Sequence, residues 1–130
     1  MEIKLNPGYM RFTFSDEDGD VFSTFKLNPT DPHLITRCKN LSDAFSAISG
    51  IPRSADDLVK RDETVENLFC EFLGYDCRKS LFGRVSATAE MADGRIFAFH
   101  VLDTVINHVG PEIQKRRRER IEKHTAQYTK

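Results

Sequence analysis

Tyr9–Leu27 reads YMRFTFSDEDGDVFSTFKL, and the fold follows from how this stretch divides. Tyr9 to Phe14 alternates in the manner of a strand, with Met10, Phe12 and Phe14 on one face. Ser15-Asp16-Glu17-Asp18-Gly19-Asp20 is a polar turn in which Asp18-Gly19 supplies the positive-φ position that a hairpin needs. Val21 to Leu27 then resumes the β-rich composition. The pattern predicts a hairpin of two short aromatic strands. Such a hairpin is marginal by itself in water, so its phenylalanine face must pack on something. Met1 to Leu5 (MEIKL) is a candidate third strand, set off by Pro7-Gly8.

Downstream the periodicity turns helical. Asp31-Pro32 reads as an N-cap followed by proline at the first helical position. Leu34, Cys38, Leu41, Phe45 and Ile48 then form one apolar stripe, closed by Gly50 and Pro52. Ser54-Ala55-Asp56-Asp57 looks like a second N-cap with acidic residues in the first turn. Polar Lys60 to Thr64 suggests that this helix begins only near Asp62. Val65, Leu68, Phe69, Phe72 and Leu73 give it an apolar face, and Gly74 ends it. From Tyr75 to Arg95 the pattern fades, and the sequence does not decide between loop and short helix. Phe97, Val101, Leu102, Val105, Ile106 and Val109 mark a broad apolar face on the last helix. Gly110-Pro111 should kink or interrupt it, because proline lacks the amide donor and clashes with the preceding turn. The expected fold is therefore α+β, with an N-terminal hairpin or three-stranded sheet before a small helical bundle. Residues 1–110 form the domain and 111–130 a charged helical extension that frays near its end.

At 130 residues the chain fits one domain, with 39% hydrophobic and 30% charged residues. A chain of this size buries roughly two-thirds of its unfolded surface, enough for a core without staples. Net charge is −1, so no overall field favours nucleic acid or membrane. The charge is uneven, however. Glu112 to Lys130 holds seven Lys/Arg and three Glu, leaving −5 on the preceding 111 residues. Three cysteines argue against a secreted disulfide framework, and Cys38, Cys70 and Cys77 read as buried or incidental thiols. The N-terminus resembles no signal peptide and no run is long and apolar enough to span a membrane, so the expected location is cytoplasmic.

The search for chemistry comes up empty. Counted from Asp16, the acidic turn puts Val21 where a calcium loop needs glycine and Leu27 where it needs glutamate. His100 and His108 stand about 12 Å apart in helical rise, too far to ligate one metal. Cys70, beside Phe69, sits on an apolar face that disfavours a thiolate. No phosphate loop, dinucleotide fingerprint or nucleophile elbow is present. We expect no catalytic residues, no metal and no cofactor, and a protein that is not an enzyme. Two contact surfaces suggest themselves. One is the apolar face Phe97, Val101, Leu102, Val105, Ile106 and Val109. The other is the charged run Lys115, Arg116, Arg117, Arg118 and Arg120, which could meet an acidic protein surface or nucleic-acid phosphates. Glu112 with Arg116, and Glu119 with Lys123, are spaced to pair along a helix and soften that charge.

The order of elements resembles the small tail assembly chaperones of long-tailed bacteriophages and prophages, particularly those of Gram-positive hosts. The hairpin Tyr9 to Leu27, the helix after Asp31-Pro32, Glu71-Phe72-Leu73-Gly74, Ser80-Leu81-Phe82-Gly83 and Gly110-Pro111-Glu112-Ile113 carry the likeness. It implies a non-enzymatic factor that binds the tape measure protein and the tail tube subunits formed by the major tail protein. Self-association is compatible with such a role. The basic run departs from the pattern, and it motivates the alternative of a nucleic-acid-binding accessory protein.

Overall fold

The computed structural model describes residues 1–47 and 54–128, with side chains omitted for residues 47 and 124–128. Strand β1, Met10–Ser15, pairs antiparallel with β2, Val21–Leu27, to give a two-stranded sheet. Met10 faces Leu27, Phe12 faces Phe25 and Phe14 faces Ser23. The next pair, Ser15 with Val21, skips Phe22, and this bulge turns the Phe22 ring toward the core. In the turn, Gly19 takes φ 86° and the Asp16 carboxylate accepts the amides of Asp18 and Asp20 at 2.9 and 3.0 Å. The acidic turn closes on its own backbone. The third strand does not form: residues 1–9 have no strand pairing, and Met1, Ile3 and Leu5 are exposed. With Pro7 lacking a donor and Gly8 at φ 82°, the chain bends away before it can join the sheet.

Helix α1 spans Leu34–Ala47. Asp31 caps it as the sequence suggests, accepting the His33 amide at 2.9 Å, but regular helix begins two residues beyond Pro32. Leu34, Leu41 and Phe45 are buried and Cys38 is partly so, while Ile48, Gly50 and Pro52 lie outside the described residues. Helix α2, Ala55–Leu73, starts at the Ser54 cap rather than near Asp62. The Ser54 hydroxyl accepts the Asp57 amide at 3.2 Å, and Asp56 and Asp57 complement the positive end of the helix dipole. These local terms hold the first turns helical before the buried Val65, Phe69 and Phe72 begin. Gly74, at φ 80°, ends α2 by giving its amide to the Cys70 carbonyl.

The stretch that the sequence leaves open contains a five-residue helix α3, Arg78–Phe82, with Leu81 and Phe82 buried. Gly83 follows where a Cβ would stand 2.3 Å from the Lys79 carbonyl oxygen, so the Leu-Phe-Gly ending needs a residue without one. Residues 84–96 have turns and a single bridge between Glu90 and Ile96. They serve the last helix: the Ala89 and Ala87 carbonyls accept the amides of Phe97 and Ala98 at 2.8 and 2.9 Å. Donors that helix geometry leaves unpaired are thereby satisfied.

Helix α4, Phe97–Tyr128, runs 32 residues with Pro111 inside it. The expected interruption at Gly110-Pro111 is absent, and the helix runs through it. A single proline removes one amide donor, and the apolar contacts on both sides outweigh it: Val105 and Val109 before, Ile113 after, all pack on one core. That core is organised by phenylalanines. Phe12 stacks on Phe25 at 4.8 Å, and Phe14, Phe22 and Phe82 surround Phe97 at 5.4, 5.7 and 5.9 Å. Phe82 continues to Phe69 and Phe69 to Phe45, at 5.6 and 5.8 Å. The expected α+β class holds, as a hairpin followed, among the described residues, by four helices.

Candidate protein-docking site

Along α4 one face changes character. Val105, Val109, Ile113, Arg116 and Arg120 follow at spacings of four, four, three and four residues, so they share a side of the helix. The stripe that is core in the first half becomes basic in the second. Phe97, Val101, Leu102, Val105 and Val109 are all buried inside this chain. This corrects the idea of an apolar docking face there: of those six positions only Ile106 is exposed, since it lies off the packed side. Residues spent on the core cannot also cover a partner.

The basic half separates residue by residue. Arg116 is partly buried; its Nε donates to Glu112 Oε1 at 2.9 Å and its Nη1 to the Gly8 carbonyl at 2.7 Å. It is a structural clamp that holds the segment before β1 against α4. Of the two expected pairings only Glu112–Arg116 forms among the described residues. Lys115 and Arg118 are exposed and lie on the opposite side of the helix from Ile113. Arg117 and Arg120 are exposed, and no carboxylate pairs with either among the described residues. Both overlook a cleft of about 260 Å³ that is floored by Leu34, Ile35 and Ile113 and walled by Pro32 and Asp31. Asp31 is occupied there by Arg37, at 3.1 Å. Ile35 is 70% exposed, so the cleft offers apolar surface as well as charge.

No family model, curated protein or solved structure matches the chain. Its surface chemistry must speak for it.

His100 Nε2 lies 2.8 Å from Asp93 Oδ2, a pairing across seven residues that the loop before α4 creates. Asp93 is held below the usual carboxylate range by the Arg95 amide first and by His100 second. His108 bonds the Thr104 carbonyl through Nδ1 at 2.9 Å and meets the edge of Phe12. Among the described residues no three metal-binding side chains converge, and no helix is long and apolar enough to cross a membrane. Sequence reasoning missed two further contacts. Asp62 Oδ1 accepts both the amide and the hydroxyl of Thr88, and Cys70 and Cys77 bring their sulfurs to 3.5 Å. The seven-residue spacing of the cysteines gave no signal, because it is the Gly74 turn that folds one back on the other.

Proposed function

We propose that this protein is a non-catalytic binding protein whose docking surface is the cleft between the start of α1 and the basic half of α4. We further propose that it acts as a tail assembly chaperone of a long-tailed phage or prophage, holding the tape measure protein and tail tube subunits before they assemble. The observation that carries the reading is the pair Arg117 and Arg120, unmatched by carboxylates among the described residues and set over Leu34, Ile35 and Ile113. Cations beside apolar surface suit an amphipathic partner helix with acidic residues on the flank of its greasy face. Apolar burial there is worth about 25 cal/mol per Å² before ordering costs. The order of elements supports the chaperone role by resemblance.

Co-expression with the tape measure protein of the same tail gene cluster tests this. A soluble complex should form, and Arg117→Glu with Arg120→Glu should abolish it while the thermal midpoint stays put. A tape measure protein equally insoluble with and without this chain would remove the chaperone role.

Exposed Lys115, Arg117, Arg118 and Arg120 favour a second reading, a nucleic-acid-binding accessory protein. Its mark is affinity for random duplex DNA that falls steeply with salt and is lost on Lys115→Ala with Arg118→Ala. The docking cleft predicts no effect of that pair.

A further inference from the structure

We infer that Cys70 and Cys77 form an oxidisable dithiol site, which hydrogen peroxide converts to an intramolecular disulfide. The site is built by the α2–α3 corner. Cys70 lies in the last turn of α2 and Cys77 at the cap position of α3, with Gly74 at φ 80° turning the chain between them. Their sulfurs are 3.5 Å apart, so modest side-chain rotation brings them to bonding distance. Cys38 makes no such contact among the described residues.

The two thiols differ in a way that assigns their order of reaction. Cys70 is half-buried and within reach of an oxidant, and its thiol donates a hydrogen bond to Asp76 Oδ1, 3.8 Å from its sulfur. Cys77 is completely buried, and burial, then the bond to Cys70, pushes its thiol far up and keeps it protonated. Cys70 therefore meets the peroxide first. Its sulfur attacks one peroxide oxygen, the O–O bond breaks, water leaves and a sulfenic acid remains. The Cys77 sulfur then attacks the Cys70 sulfur, the S–OH bond breaks, and the hydroxyl departs as water with the Cys77 proton. Two thiols lose two protons and two electrons, and hydrogen peroxide becomes two waters. Because Cys77 is at contact distance, it intercepts the sulfenic acid before a second peroxide can carry it to sulfinic acid. The loop thus closed includes Tyr75, whose hydroxyl accepts the Lys26 amide of β2 at 3.0 Å. The state of the dithiol therefore reaches the hairpin.

Trypsin, which cuts after Arg61 and Arg78, leaves both cysteines in one peptide, residues 62–78. The full chain is treated with hydrogen peroxide, alkylated in denaturant and digested. The expected result is a peptide 62–78 that lacks two hydrogens, takes up no alkyl group, and recovers both sites after dithiothreitol. In Cys77→Ala, Cys70 should instead gain two oxygens, because nothing resolves the sulfenic acid. A wild-type peptide that keeps two alkyl groups at peroxide levels that oxidise Cys77→Ala would overturn the proposal. So would a wild-type peptide that gains oxygens at Cys70, or one that links to another chain.

Discussion

Ser23 is the polar residue that the core tolerates, and the reason is one bond: its hydroxyl donates to the Leu81 carbonyl at 2.6 Å. That bond ties β2 to the end of α3, where the helix can no longer supply a partner. Ser23→Ala should cost about 1–2 kcal/mol in chemical denaturation, the usual loss when a buried acceptor is left bare. Glu66 behaves in the opposite sense. Burial first, and the neighbouring Asp62 second, raise its carboxyl above the ordinary value, although Arg78 opposes them. A raised carboxyl favours the fold at acid pH and penalises it as pH climbs through the folded value. Glu66→Gln should accordingly raise the thermal midpoint at neutral pH and leave it unchanged below the ordinary glutamate range. Equal effects at both pH values would refute that origin. The sequence showed neither relation. Neither has a local signature, since the partner of Ser23 lies 58 residues away and the burial of Glu66 is set by the fold.

At the scale of elements, the parts of the chain with a strong local signal were legible. The hairpin, the Ser54 cap, the Gly74 stop and the apolar faces of α1 and α2 all carry their instructions within a few neighbouring residues. One departure came where tertiary contact overrules local preference. Pro111 was expected to kink or interrupt α4, and packing on either side keeps the helix unbroken. Pro111→Ala restores the missing amide and relieves the steric conflict, so it should stabilise the protein by about 1–3 kcal/mol and raise helical circular dichroism. Unchanged stability would mean that the helix is already relieved by another distortion. The α2–α3 corner was illegible for a related reason: nothing in a run such as Tyr75 to Arg95 announces that its carbonyls will cap a later helix. Closing the Cys70–Cys77 bond there should add roughly 2 kcal/mol by loop entropy alone, read as a higher thermal midpoint under oxidising conditions.

The whole molecule is held by aromatic rings that reach from the hairpin through α4 to α3, α2 and α1. Phe97 is their junction, 1% exposed and in ring contact with Phe14, Phe22 and Phe82. Phe97→Ala should cost about 3–5 kcal/mol and release the hairpin first, seen as early loss of amide protection in β1 and β2. The candidate docking site is a property of this scale too. Sequence inspection found the basic run but not its division of labour, because Arg116, Arg117 and Lys115 differ only in what the fold sets beside them. It also credited the strongest apolar stripe with a partner, when the chain itself uses that stripe.

The clamp from Arg116 to Gly8 bears on how this protein can be cut. A fragment stopping at Gly110, the natural place to trim by eye, would strip Ile113 from the apolar cluster and leave the leading nine residues untethered. Such a fragment should be prone to proteolysis near its beginning, although the deletion was made at its other end.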